Sequence, residues 1–201
     1  MRTTALVLAA GQGKRMGSSV HKQYLLLRDK PVLYYSLKAF EDSRIDDVVL
    51  VVGKDEQTFC RKEILEKYGF RKVKAIVEGG RERYHSVAKG IQAVCWACDY
   101  IFIHDGARPF VNQEMIDRAL GEVQRSRACV VGMPVKDTIK ISDEMGYVSD
   151  TPARARVWQV QTPQVFDRKL IAEAYEKLLA EEAELLAGGI SVTDDAMVVE
   201  L

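Results

Sequence analysis

Residues 3–17, Thr3-Thr4-Ala5-Leu6-Val7-Leu8-Ala9-Ala10-Gly11-Gln12-Gly13-Lys14-Arg15-Met16-Gly17, decide the fold. The run up to Ala10 is apolar on both alternating faces, the pattern of a strand covered on both sides. Glycines and cations follow directly. The chain therefore leaves this strand through a turn in which the backbone approaches a ligand closely and amide donors stay free for phosphate oxygens. In a parallel sheet ligands sit there, outside the carboxyl ends of the strands.

Working outward, similar β-branched runs at 47–52, 74–77, 100–104 and 128–135 predict further strands. Between them, 31–40, 56–68, 84–96, 113–126 and 167–187 have helical period. In the last, Leu170, Ile171, Ala174, Tyr175, Leu178, Leu179 and Ala183 share one stripe, which leaves Glu181, Glu182 and Glu184 for a solvated face. This alternation predicts one α/β domain over 1–201, a Rossmann-like three-layer α/β/α arrangement around a mostly parallel sheet. Only 136–164 breaks it. Short segments, a turn at Glu144-Met145-Gly146 and a stretch from Pro152 to Arg156 predict a projecting β-hairpin arm there. Such an arm buries both faces only against another surface, so a homodimer contact is expected, with Val148, Val157 and Val160 as apolar positions.

Composition narrows the function classes. The chain has 201 residues, 47% of them hydrophobic and 29% charged, with 14 Gly and 5 Pro, enough for a large core and incompatible with disordered, collagen-like or coiled-coil chains. Twenty-nine Lys plus Arg balance 29 Asp plus Glu, so the basic excess that offsets nucleic-acid phosphates is lacking. The longest apolar runs fall far short of the roughly 18 residues that a membrane helix requires. The N-terminal run is too short for a signal peptide. Four cysteines, Cys60, Cys95, Cys98 and Cys129, are too scattered for a disulfide scaffold, and a reducing cytoplasm is expected.

Cys95-Trp96-Ala97-Cys98 is formally a C-x-x-C, but it closes a helical stretch instead of opening one and has no second pair to complete a zinc site. Both cysteines are expected to be buried helix residues. His21, His85 and His104 have no mutual spacing for a metal or a triad and are expected to be structural.

The glycine loop is not a P-loop, because no Gly-Lys-Ser/Thr has the required spacing. It is not a dinucleotide fingerprint either, since Met16 stands at the third glycine and 31–35 contains no ribose-binding acid. Alone, it fits a tight turn with solvated cations as well as a phosphate site.

Read together with Lys22-Gln23-Tyr24, the string LAAGQGKRMG resembles the opening of the nucleotide-sugar pyrophosphorylase superfamily, in its cytidylyltransferase branch. Four stretches follow in order: GGRERYHSV (79–87), HDGARP (104–109), VKDTIK (135–140) and WQVQTPQVF (158–166). Together they resemble the 2-C-methyl-D-erythritol 4-phosphate cytidylyltransferase family over essentially 4–195.

The resemblance implies a nucleotidyltransferase reaction in non-mevalonate isoprenoid synthesis, in which CTP and methylerythritol phosphate give a CDP-alcohol and pyrophosphate. It implies CTP binding by Ala10, Gly11, Gly13, Arg15, Lys22, Gly80, Arg81 and Ser86, the last three reading cytosine. It places Asp105, Arg108, Thr138 and Arg154 at the acceptor, Arg154 acting from the partner subunit; Arg156 is its confusable neighbour. Arg15, Lys22 and Arg154 are the implied catalytic residues, and Mg²⁺ bridges the phosphates with Asp105 as a ligand. An acceptor phosphate is already a nucleophile, so the task is to hold two anions in line while charge builds on the leaving pyrophosphate.

His21 stands where the family often has proline. The family also continues past Thr193-Asp194-Asp195 into a strand and an Asn-x-Lys segment, which this sequence, ending at Leu201, does not include. A ribitol 5-phosphate cytidylyltransferase and a non-catalytic nucleotide-binding homologue remain the alternatives at this point. GGRERYHSV and Asp137-Thr138-Ile139-Lys140 favour the methylerythritol substrate.

Overall fold

A computed structural model describes residues 1–11 and 21–201. Gly13 and Arg15, with Lys14 between them, lie outside the described residues.

The chain order is β1 (Thr3–Ala9), β2 (Leu26–Leu27), β3 (Lys30–Pro31), α1 (Val32–Glu41), β4 (Asp47–Val52), α2 (Gln57–Phe59), β5 (Val73–Glu78), α3 (Arg83–Gln92), β6 (Tyr100–Asp105) and α4 (Gln113–Ser126). It continues as β7 (Ala128–Pro134), β8 (Ile141–Ser142), β9 (Val148–Asp150), β10 (Trp158–Asp167), α5 (Arg168–Ala187) and α6 (Asp195–Glu200). The central sheet runs β5-β4-β1-β6-β10-β7. β1 lies parallel to both neighbours, Val7 facing Leu50 of β4 and His104 of β6.

Why β1 and β4 read as apolar throughout is visible in the two cores. Ala5, Val7 and Ala9 pack on one side with Leu33, Leu37 and Phe40 of α1 and Ile116, Leu120 and Val123 of α4. Leu6 turns to the other side, with Val87 and Ile91 of α3 and Ile171, Tyr175 and Leu178 of α5. From β1 the chain builds outward through β4 and β5, then crosses to β6 on the other flank. The crevice at the carboxyl ends of β1 and β6 is thus a topological switch point.

Four local expectations need correction. First, 158–164 belong to the central sheet: β10 runs antiparallel between β6 and β7, pairing Trp158 with Pro134 at its start. The alternating polar residues and Pro163 hide this strand, and the ladder with β7 shifts between Val160 and Gln164, where a proline without an N–H is tolerated. The arm proper is the β8–β9 hairpin with the Arg154–Arg156 turn of 3₁₀ helix. Its expected turn is present: Asp143 accepts from the N–H of Met145 at 3.0 Å and of Tyr147 at 2.9 Å, and Gly146 has φ +86°.

Second, α3 ends at Gln92, because Ala93 and Val94 tighten the last turn and the Trp96 indole reaches back to Thr4 Oγ1 at 3.2 Å. Cys95 is therefore exposed and Cys98 half-buried, and neither is helical. Third, the predicted 56–68 helix widens to π geometry over Cys60–Glu66. Fourth, Glu182 does not stand free in solvent but is half-buried against Tyr84 and His85 of α3.

Candidate active site

Gly79 and Gly80 carry the chain from β5 to α3. A Cβ on Gly79 would stand 2.5 Å from Ala10 Cβ and 2.7 Å from Ser86 Oγ, and one on Gly80 would strike His85. Glycine is required at both positions, and the first sets the loop after β5 against Ala10, the residue that follows β1. Ser86 Oγ accepts from the Gly80 N–H at 3.0 Å and donates to Glu82 O at 3.3 Å. Glu82 and His85 form a capping box at the start of α3. Turn, cap and the close approach of Gly79 to Ala10 thus coexist, and the structure places Gly80 and Ser86 beside that contact.

Arg81 is exposed, and its guanidinium lies 3.5 Å from Glu182. Glu182 also accepts from Tyr84 OH at 2.7 Å and lies 3.2 Å from His85 Nε2. The Tyr84 hydroxyl, followed by His85 and Arg81, holds its carboxyl below the ordinary glutamate value. The α5 periodicity alone points Glu182 to solvent, because cross-helix partners are invisible to it.

Lys22 is exposed in a 3₁₀ turn beside the end of β1. Its neighbour Gln23 is buried and donates to Ala9 O at 2.5 Å. Tyr24 OH donates to Glu56 at 2.7 Å, His21 Nδ1 lies 2.7 Å from the same carboxylate, and the Gly53 N–H reaches it at 3.0 Å. His21 is thus structural, and Glu56 is an anchor that the sequence reading missed.

Asp105 ends β6 facing two arginines: Arg83 Nε at 3.3 Å and Arg108 Nε at 2.9 Å. Burial would raise its pKa, but Arg83 and then Arg108 outweigh burial and hold the carboxyl below its ordinary value. Arg108 also donates to Gln161. Beneath them His104 is fully buried, its pKa pushed down to about 4 by that burial. Thr162 Oγ1 receives the Asp105 N–H at 3.3 Å, so its proton points to His104 Nδ1, 3.0 Å away. This assigns the ring proton to Nε2, which donates to Arg108 O at 3.1 Å. His104 is a neutral strut under the Asp105–Arg108 loop, in keeping with its expected structural role.

Arg83 reaches further. Its Nη1 and Nη2 grip Asp195 at 2.9 and 2.8 Å, and Tyr175 OH donates to the same carboxylate at 2.6 Å. Gln164 Oε1 accepts the N–H of Asp195 at 3.0 Å and of Ala196 at 2.9 Å. Sequence reasoning singled out Arg81 within GGRERYHSV but not Arg83, and quoted the strings containing Gln164 and Asp195 without assigning either a role.

Thr138 is exposed, and Arg154 donates to Lys136 O at 3.0 Å. Among the described residues no hydrogen bond joins either to Asp105 or Arg108. One carboxylate with two arginines is no complete cation cage, and no cluster of three or more His, Cys, Asp or Glu occurs among the described residues. An ionised Asp105 does fit a magnesium ion whose other ligands are phosphate oxygens and water, because each of its oxygens keeps a further lone pair.

A protein from Lachnoclostridium phytofermentans named 2-C-methyl-D-erythritol 4-phosphate cytidylyltransferase is 51% identical over 199 residues, spanning 99% of this chain and 82% of the relative. One of the same name from Alkaliphilus metalliredigens is 44% identical over 99% of this chain and 80% of its own length. The crystal structure of 4-diphosphocytidyl-2C-methyl-D-erythritol synthase from Anaerococcus prevotii superposes with a TM-score of 0.85 at 33% identity, covering 99% of this chain and 81% of that one. The Thermus thermophilus cytidylyltransferase superposes at 0.72 and 28% identity, covering 100% of this chain and 84% of that one. The family profile described as IspD, 2-C-methyl-D-erythritol 4-phosphate cytidylyltransferase, matches residues 3–201, and the chain belongs to that family.

Proposed function

We propose that the protein is a nucleotidyltransferase that joins CTP to 2-C-methyl-D-erythritol 4-phosphate, in isoprenoid precursor synthesis. An acceptor phosphate oxygen attacks the α-phosphorus of CTP, the bond to the β-phosphate bridging oxygen breaks, and pyrophosphate leaves. The observation that carries the reading is the close approach of Gly79 to both Ala10 and Ser86, which sets the nucleotide-reading loop against the residue that follows β1. Asp105 and Arg108 stand at the adjacent strand end.

In this reading Gly80, Arg81 and Ser86 read cytosine, while Ala10, Gly11 and Gly13 face the phosphates. Arg15 and Lys22 stabilise charge on the leaving pyrophosphate. Asp105, Arg108 and Thr138 orient the acceptor. Asp105 would hold Mg²⁺, which would supply positive charge against the phosphates. The exposed apolar side chains of the arm and adjoining sheet, among them Ile141, Tyr147, Val148, Trp158 and Val160, support a homodimer in which Arg154 serves the partner's acceptor phosphate. No helix of the described residues is long and apolar enough to cross a membrane. The four cysteines are free, in keeping with a cytoplasmic setting.

Pyrophosphate release from CTP is the test, with methylerythritol phosphate, with ribitol 5-phosphate and without acceptor. Release with the first is expected. Release with ribitol 5-phosphate alone, or with neither, overturns the reading.

A further inference from the structure

We propose that Asp195 is a positioning residue for the transfer reaction, acting through Arg83 to set where the Asp105 carboxylate points. This rests on Asp105 serving the reacting groups, as read above.

The Arg83 guanidinium has two usable edges, and both are occupied. Its Nη1/Nη2 edge is matched in a bidentate pair by the two oxygens of Asp195, which leaves the Nε–H to face Asp105 Oδ1 at 3.3 Å. A planar fork gripped at one end cannot swing at the other, so the fixed carboxylate dictates the angle at which Asp105 is met. The fixed end is firmly held. Asp195 is fully buried, receives the Tyr175 hydroxyl at 2.6 Å, and has its backbone N–H on Gln164. Asp105 is then held at both oxygens, by an arginine anchored on Asp195 and by Arg108, which is itself anchored on Gln161.

A stability role alone does not account for this carboxylate. The N-terminus of α6 is already capped by Asp194, whose Oδ1 accepts from the Met197 N–H at 3.0 Å. Burying a further ionised group there is unfavourable unless it is paired, and a well-packed apolar side chain would hold the helix as well. The pairing is directed toward the strand end where the acceptor is read.

Three variants test this: Asp195→Asn, Arg83→Lys and Tyr175→Phe. Asp195→Asn and Arg83→Lys should lower kcat about 30-fold while the CTP dissociation constant changes less than about 3-fold, because positioning and not nucleotide affinity is lost. Tyr175→Phe perturbs the same cluster but leaves the ion pair, and should keep kcat within about 3-fold even where its thermal midpoint falls. In an Asp105→Asn background, Arg83→Lys should add less than about 3-fold, since both act through one linkage.

The proposal is overturned if kcat losses follow the fall in thermal midpoint across all three variants, or if the two ion-pair variants keep near-normal turnover. Should Asp195→Asn fail to fold, Arg83→Lys decides alone. A crystal structure of Arg83→Lys supplies an arm independent of turnover. Asp105 should leave its present rotamer while β6 stays in place, and an unmoved carboxylate sinks the proposal. An unsubstituted chain that releases no pyrophosphate would instead overturn the activity reading, and the crystallographic arm would still judge the positioning.

Discussion

The side-chain amide of Gln23 lies 2.5 Å from the carbonyl oxygen of Ala9, the last residue of the central strand. Gln23 is almost wholly buried while Lys22 is exposed, so one residue supplies the tether and the next the charge.

Replacing Lys22 by alanine should lower kcat by roughly 10²- to 10³-fold with little change in CTP affinity, the expected loss of one charge-assisted contact made mainly in the transition state. Arg15→Ala should behave alike. Steady-state kinetics beside calorimetric CTP titration checks both, and a variant that only raises KM would mark its residue as a ground-state anchor. Gln23→Leu orphans the Ala9 carbonyl and should cost about 1–3 kcal/mol in urea unfolding.

Gly79→Ala should weaken CTP binding at least about 10-fold, because the new methyl group forces the Ala10 and Ser86 loops apart. In the unsubstituted chain CTP should bind more tightly than ATP or GTP in calorimetry, since a loop this close suits a pyrimidine. Equal affinity for ATP would remove the base-reading role of Gly80, Arg81 and Ser86.

His104 makes stability depend on pH with a defined sign. Its folded pKa is lowered to about 4 from 6.5, so between these values the unfolded chain binds the extra proton. Its contribution is fully present above pH 6.5 and is lost as pH falls through that window, by up to about 3 kcal/mol. Asp105 and Arg108 face the same ring, so the comparison is made against His104→Gln. Denaturant midpoints from pH 7 to 4 should fall more steeply for the unsubstituted chain than for the variant, and parallel curves would refute the assignment.

Mixing Arg154→Ala chains with Arg15→Ala chains should restore about one half of the unsubstituted activity in each mixed dimer, which keeps one intact site, and so about one quarter in a fully exchanged equal mixture. Lack of recovery despite demonstrated subunit exchange would place Arg154 in its own chain's site or outside the chemistry.

The alternation of strands and helices was legible in the sequence because burial on both sheet faces leaves continuous apolar runs, and Asp47–Val52 and Gln113–Ser126 came out to the residue. The nucleotide loop was legible for a similar local reason, since its glycines and its serine lie within eight positions of one another. What required tertiary structure was every partner chosen across elements. β10 was concealed because its polar alternation and Pro163 resemble an arm, and only its position between β6 and β7 makes it a sheet strand. Glu182 had helix periodicity that pointed to solvent, yet Tyr84 and His85 of α3 meet it there. Arg83 and Asp195 carry no mutual spacing in the chain, and nothing local distinguishes them from solvated charges. Their pairing arises from packing α3 and α6 over one strand end, where a buried carboxylate is stable only if an arginine reaches it.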